Sequence, residues 1–382
     1  MTIQRNIGLD YLRALAISIV LFNHALIGFY FETSILKFDG MIAAISASTV
    51  LSIEWLFILS GFLIGNMMIR SFEKNQNWFL AARDFWLRRW FRTIPNYYLF
   101  LAINFGLVSA GIASGSFEFK YLVFSQNLAW TEKTPHFFGE SWSLALDEWF
   151  YLIMPLAIGL LGFLFSNQKH KFILAALMLI AIPTLARIFH TTTTDFFQWD
   201  AEIRRITIYH LDATGWGVLA ACVNKWFLPS WQKSLHTKAF IGLALMATGV
   251  FLVIGLVFEN AINGFGHFFS HSFSISLMSA GTFLVLPWLT STNIKPNFLS
   301  PLIHNISLYS YSIYLVHFPM IFIFRWMFPI HQDASMAYMF LINLAWLIAV
   351  YKSSEFIFKI FELPISDLRE KFTSRVDASP FK

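Results

Sequence analysis

Apolar residues gather in ten runs of spanning length, near residues 9–30, 45–69, 93–113, 143–165, 171–190, 207–227, 239–258, 269–290, 303–327 and 336–360. A helix needs about twenty mostly apolar residues to cross the hydrocarbon of a bilayer, so each run predicts one transmembrane helix. The pattern predicts an all-α, polytopic bundle of about ten spans, with a transmembrane domain over residues 1–365 and a short cytoplasmic tail over 366–382. The first run is long enough to span and is followed by no small-residue cleavage site, which predicts a retained helix rather than a cleaved signal.

The charges between the runs predict the orientation. With the N-terminus in the cytoplasm, Arg70, Lys74, Arg83, Arg88, Arg89 and Arg92 fall in one inner loop and Lys169 and Lys171 in the next. Lys225, Lys233, Lys238, Lys295, Arg369, Lys371 and Arg375 also fall inside, as the positive-inside rule expects. An even number of spans returns the C-terminus to the cytoplasm. The outer loops hold Glu32, Asp39, Glu118, Glu132, Asp195, Asp200 and Glu259, and only Arg204 and Arg205 stand out there as cations.

Composition sharpens this class. The 382 residues are 57% hydrophobic and 13% charged, with 44 Phe and 14 Trp, far from the usage of a soluble domain. The net charge of +5 needs no nucleic acid to explain it, because inner loops of membrane proteins are enriched in Lys and Arg. Cys222 is the single cysteine, which excludes an intramolecular disulfide framework and a cysteine-rich metal site. The spans leave no room for a separate soluble catalytic domain, so any chemistry occurs within the bundle.

Polar residues inside the runs are the candidate chemistry. The first run carries Asp10, Arg13, Asn23 and His24. Arg13 and His24 stand three helical turns apart, on nearly the same face and roughly 16 Å along the axis. Charged groups in membrane segments are costly and usually face a protein interior or a watery cavity. The competing readings are that Arg13 snorkels to headgroups and that His24 packs between helices through a hydrogen bond.

Further along, Ser60 and Gly61 form a small pair at mid-membrane depth, suited to close approach of another helix or of a ligand. Arg88 and Arg92 share a helical face with Arg89 alongside, a geometry for phosphate oxygens, with anionic lipid headgroups as the alternative partner. Ser141 through Tyr151 place Asp147 and Glu148 in an aromatic helix, as functional carboxylates or as electrostatic caps on an interfacial belt. His210 and Asp212 lie near the outer interface with Gly215 and Gly217 deeper in. Ser310, Tyr314 and His317 follow helical spacing in the ninth run, where His317 also suits a purely packing role.

These residues carry a resemblance. Leu9-Asp10-Tyr11-Leu12-Arg13-Ala14 with His24, Phe57 through Phe62, Arg88-Arg89 to Pro95, Trp142 through Tyr151, and Tyr311 through His317 occur in an order that resembles the membrane-bound acyltransferase 3 family. Members of that family O-acylate extracytoplasmic carbohydrates and some other acceptors. The chain departs from the family pattern at two places: Asp147 stands where Glu is usual, and His210-Leu211-Asp212 where Arg-x-Asp is usual.

The resemblance implies a membrane O-acyltransferase that moves an acyl group, acetyl foremost, from cytosolic acyl-CoA to a hydroxyl of an extracytoplasmic glycan or glycolipid, in a bacterial plasma membrane. It implies no permanently bound cofactor and no metal. Arg13, Arg88, Arg89, Arg92, Ser60 and Gly61 are then the expected donor-binding residues. His24 is the expected general base, since imidazole with an ordinary pKa of about 6.5 suits proton transfer near neutrality, and Asp147 is expected to orient it. Trp142, Glu148, His210, Asp212, Tyr314 and His317 are the expected acceptor-side residues. A transporter or flippase of a polar lipid or sugar is the alternative from another class.

Overall fold

The computed structural model describes residues 6–30, 39–74, 77–132, 137–190, 195–258, 265–292, 296–331 and 334–373. Glu32, Glu259, Lys295 and Arg375, used above for orientation, lie outside them. Ten principal helices follow the ten apolar runs: α1 (Ile7–Tyr30), α2 (Asp39–Lys74), α3 (Trp78–Ser109), α4 (Ser141–Leu161), α5 (Gln168–Ile188), α6 (Asp212–Trp226), α7 (Leu235–Val257), α8 (Phe265–Ser291), α9 (Ser300–Met327) and α10 (Met336–Ile357). No strand occurs among the described residues.

Eight of these helices are long and apolar enough to cross a membrane, and a ninth span results if Phe196–Arg204 and Thr207–Trp226, bent by 96° against each other, are taken together. The chain is an integral, multi-pass membrane protein. Helix α3 is the exception because its first half carries Arg88, Arg89 and Arg92 and its second half buries Asn96 and Asn104. Asn104 donates its amide to Phe100 O at 2.8 Å, within its own helix. Large apolar side chains such as Phe22, Phe240, Phe251, Phe340 and Leu341 point outward from the bundle. Such an exterior suits lipid, where a helix satisfies its own backbone groups.

Helix contact is set by small residues where helices approach closest. A Cβ on Gly61 of α2 would meet Thr214 O of α6 at 2.2 Å, and one on Gly217 would meet Ile58 O at 2.3 Å. Gly61 is therefore a packing residue, not a donor ligand, because its Cα face is spent on the backbone of α6. Gly65, one turn on, packs against Val218 and Ala221 in the same way. Gly61→Ala is expected to destabilise the protein by about 1–3 kcal/mol through overpacking, read as a lowered melting temperature in detergent.

Two buried ion pairs fasten the same region. Arg187 of α5 and Asp212 of α6, both wholly buried, meet at 2.6 Å. Arg187 also donates to Ser272 O at 3.1 Å, to Tyr209 O and to Ser276 Oγ, while Ser276 Oγ donates to Asp212 at 2.7 Å. Glu54 of α2 accepts from His210 Nε2 at 2.5 Å and from Ser279 Oγ at 2.7 Å, and His210 Nδ1 lies 2.5 Å from Arg204 O. A buried charge left alone in such a place costs several kcal/mol, so each of these groups needs its partner.

Past α10 the chain turns through a π-helical segment (Phe358–Glu362), a short helix (Leu363–Leu368) and a 3-10 turn (Arg369–Lys371). Residues 366–373, expected as the start of a tail, fold back toward α3: Phe372 stacks on Phe91 with ring centroids 5.6 Å apart.

Candidate active site

One cavity of about 160 Å³ runs between α1, α2, α3, α4 and α9. Its wall includes Arg13 and Ile17 of α1, Phe57 and Ser60 of α2, Arg89, Arg92, Thr93 and Tyr97 of α3, Ser143, Asp147, Glu148 and Tyr151 of α4, and Tyr311 and Tyr314 of α9. The helical periodicity puts these side chains there. Ser143, Asp147 and Tyr151 recur every fourth residue on one stripe of α4, and Arg89, Thr93 and Tyr97 do the same on α3.

Hydrogen bonds fix the cavity's levels along the bundle. Trp86 donates to Tyr151 O at 2.9 Å near Arg89. A turn further, Thr93 Oγ1 donates to Glu148 at 2.5 Å and Tyr311 Oη donates to Thr93 O at 2.8 Å. Ser60 Oγ donates to Asp147 Oδ1 at 3.2 Å and lies 3.4 Å from Tyr151 Oη. At the opposite end from the arginines, Ser143 Oγ donates to Glu140 O at 3.0 Å and meets Tyr314 Oη at 2.6 Å. Since the serine proton goes to the carbonyl, the tyrosine donates to the serine.

The imidazoles lie one turn past that end. His24 Nδ1 stands 2.9 Å from His317 Nε2, and His317 Nδ1 stands 2.6 Å from Tyr314 O. The carbonyl has no proton to give, so His317 Nδ1 carries the hydrogen and donates it. In the neutral ring His317 Nε2 is then an acceptor, and His24 Nδ1 donates to it. The remaining nitrogen of His24, Nε2, is left with its lone pair. Asn23 anchors the neighbouring position on α1 by donating to Ser48 and Thr49 of α2, each at 2.9 Å.

The expected site residues divide cleanly. Arg13, Arg89, Arg92, Ser60, Asp147, Glu148 and Tyr314 line the cavity. His24 and His317 flank its end as a pair, through Tyr314. Asp147 bonds to Ser60 rather than to His24, so the orienting partner of His24 is an imidazole on α9 instead of the carboxylate on α4. Arg88 is half-buried beside the cavity on α3.

Three expected acceptor residues stand elsewhere for packing reasons. His210 and Asp212 are spent on Glu54 and Arg187. Both faces and the edge of Trp142 are engaged within the protein: His210 lies parallel to it at 6.0 Å, the Arg204 guanidinium sits 4.6 Å from its ring centre, and Phe57 meets it edge-on. No ring face of Trp142 is left for a sugar.

Several residues near the site carried no motif of their own. Arg187 and Glu54 each stand alone inside an apolar run; the cost of an intramembrane charge is the signal that flags them, though not their partners. Glu140, at the head of α4, is buried, and neither carboxylate oxygen has a hydrogen-bond partner. Burial pushes that carboxyl well above the usual carboxylate range. In the loop before it, Glu132 accepts from Tyr121 Oη, and burial pushes its carboxyl up to about 7. Among the described residues no group of three His, Cys, Asp or Glu is placed to hold a metal ion.

A membrane-embedded cavity with arginines at one end and a paired imidazole at the other defines a class of intramembrane site that handles an anionic ligand and a proton. The family described as "Acyltransferase domain" matches residues 6–352, and the chain belongs to this acyltransferase 3 family. O-acetyltransferase OatA of Staphylococcus aureus is 26% identical over 296 residues, covering 71% of this chain and 46% of that protein. Peptidoglycan O-acetyltransferase OatA of Listeria monocytogenes is 30% identical over 119 residues, 28% of this chain and 19% of that one. Putative peptidoglycan O-acetyltransferase YrhL of Bacillus subtilis is 22% identical over 263 residues, 64% and 38% respectively. The chain thus matches less than half the length of these curated relatives. No solved structure is significantly similar.

Proposed function

We propose that this protein is a membrane O-acetyltransferase that takes acetyl from acyl-CoA and transfers it to a hydroxyl of an extracytoplasmic glycan or glycolipid. The observation that carries the reading is the single cavity joining Arg13, Arg89 and Arg92 to Tyr314 and, through it, to the His24–His317 pair. Guanidinium forks bind phosphate oxygens bidentately, which suits the multiply anionic end of CoA. Family membership and the O-acetyltransferase names of the relatives support the reaction class. A bacterial plasma membrane with the arginine end facing the cytosol is part of the same proposal.

In this reading His24 Nε2 takes the proton from the acceptor hydroxyl as its oxygen attacks the thioester carbonyl. The tetrahedral intermediate collapses by breaking the C–S bond, and the proton held on His24 passes to the departing CoA sulfur. Holding donor and acceptor in one cavity supplies proximity, so direct transfer needs no covalent acyl-enzyme. A two-step route through Ser60 is favoured by one observation, its hydrogen bond to Asp147 in the cavity wall. Intact mass after incubation with acetyl-CoA alone separates the two: direct transfer leaves the mass unchanged, and an acyl-enzyme adds one acetyl.

His317 is expected to act through His24 by holding its tautomer. His317→Ala should lower turnover at least about tenfold, as loss of tautomer control does in other His-based sites. His317→Gln, whose amide oxygen also accepts from Nδ1–H, should restore part of it. Equal turnover in both variants at the wild-type level would rule out this role. For the reading as a whole, deleting the gene and weighing the surface glycans should reveal a missing acetyl increment; glycans of unchanged mass would count against it.

A further inference from the structure

The chain beyond residue 352, where the family match ends, forms a hook rather than a free tail. It is clipped to the bundle at two points. Ser312 Oγ of α9 donates to Glu362 Oε2 at 2.6 Å, and Phe372 stacks on Phe91 of α3. The π-helical turn Phe358–Glu362 and Pro364 redirect the chain between these clips, since Pro cannot continue the preceding helix yet fits the first turn of the next.

What the hook delivers is Arg369. This side chain is 6% exposed and lines a small second cavity with Arg92, Glu362, Ser366 and Asp367. Arg92 lines the main cavity too, so the two spaces meet at one guanidinium. Arg369 lies within electrostatic reach of Arg88, Arg89 and Arg92, with Asp367 and Glu370 as the nearby acids on its own segment. Burying a fourth arginine beside three others costs energy through like-charge repulsion and desolvation, and a polyanion seated among them would offset that cost.

We propose that Arg369, supplied by the C-terminal hook, completes the phosphate-binding end of the donor site together with Arg88, Arg89 and Arg92. The inference rests on acyl-CoA being the donor. The shared chemistry is phosphate recognition by clustered guanidinium groups, and an anionic lipid headgroup could present the same oxygens. The hook is the part of the site that lies outside the family match, so it provides a donor contact particular to this chain's C-terminal segment.

The test uses the full-length protein in nanodiscs and reads binding by thermal shift. Wild type, Arg369→Ala and Arg369→Lys are titrated with CoA, with phosphate-free pantetheine, and in nanodiscs with and without phosphatidylglycerol. Arg369→Ala should weaken CoA at least about tenfold, the scale of a charged hydrogen bond to phosphate. Pantetheine binding should be unaltered, and Lys should recover part of the CoA affinity. A lowered melting temperature of ligand-free Arg369→Ala reports structural clipping, whereas the CoA-induced shift reports binding, so the two are read separately. CoA affinity unchanged in Arg369→Ala overturns the proposal, as does a loss confined to phosphatidylglycerol. If wild type itself shows no response to CoA, the donor assignment fails and this inference falls with it.

Discussion

His24→Ala abolishes most acyl transfer, by about 10²–10⁴-fold in turnover, the range that a positioned general base contributes. The structure makes this the largest catalytic effect expected, because His24 Nε2 is the one nitrogen of the His24–His317 pair left with a lone pair once Tyr314 O has fixed the tautomers. The variant should fold. Asn23, the neighbouring anchor of α1 to α2, keeps its bonds to Ser48 and Thr49, and only contacts of the imidazole with His317 and Phe318 are lost. Release of CoA from labelled acetyl-CoA in membranes, set beside a melting curve, checks both halves. Turnover near wild type would show that another group removes the acceptor's proton.

The largest effect on stability is expected at Arg187. Arg187→Leu leaves Asp212 buried with Ser276 as its remaining side-chain donor, and an uncompensated charge of this kind costs about 3–5 kcal/mol. Arg187 also joins α5, α6 and α8 through Tyr209 O, Thr184 and Ser272 O, so the loss loosens three helices at once. The melting temperature in detergent should fall sharply. The double variant Arg187→Leu with Asp212→Leu should recover a substantial part, because an apolar pair has no buried charge to leave unpaired. If the double variant is no more stable than the single one, the ion pair is not what Arg187 contributes.

The comparison of sequence and structure turns on which signals are local. The ten helices were legible because each apolar run is a local property of the chain, as was the stripe that brings Arg13 to the cavity. The arginines of α3 and the stripe Ser143, Asp147 and Tyr151 of α4 were legible for the same reason, since helical spacing fixes which residues share a face. Pairings across the bundle were not. His24 and His317 are 293 positions apart, and nothing in either segment says that one ring orients the other.

The same limit explains the misplaced acceptor residues. In this chain His210-Leu211-Asp212 stands where the family usually has Arg-x-Asp, and the cation that Asp212 needs comes from Arg187 on α5. His210 finds its acid in Glu54, 156 positions earlier. A buried charge announces that a partner exists, but tertiary packing decides which one. Gly61 shows the converse: its small side suited either a ligand or a helix, and the backbone of α6 occupies the space.

The most direct test of the central claim is acetyl transfer by purified protein in liposomes supplied with labelled acetyl-CoA on one side and a surface glycan acceptor on the other. The account predicts label on the glycan, free CoA released in equal amount, and neither product with His24→Ala. Label that stays with CoA while the glycan itself crosses the membrane would contradict it, and would identify the chain's activity as transport.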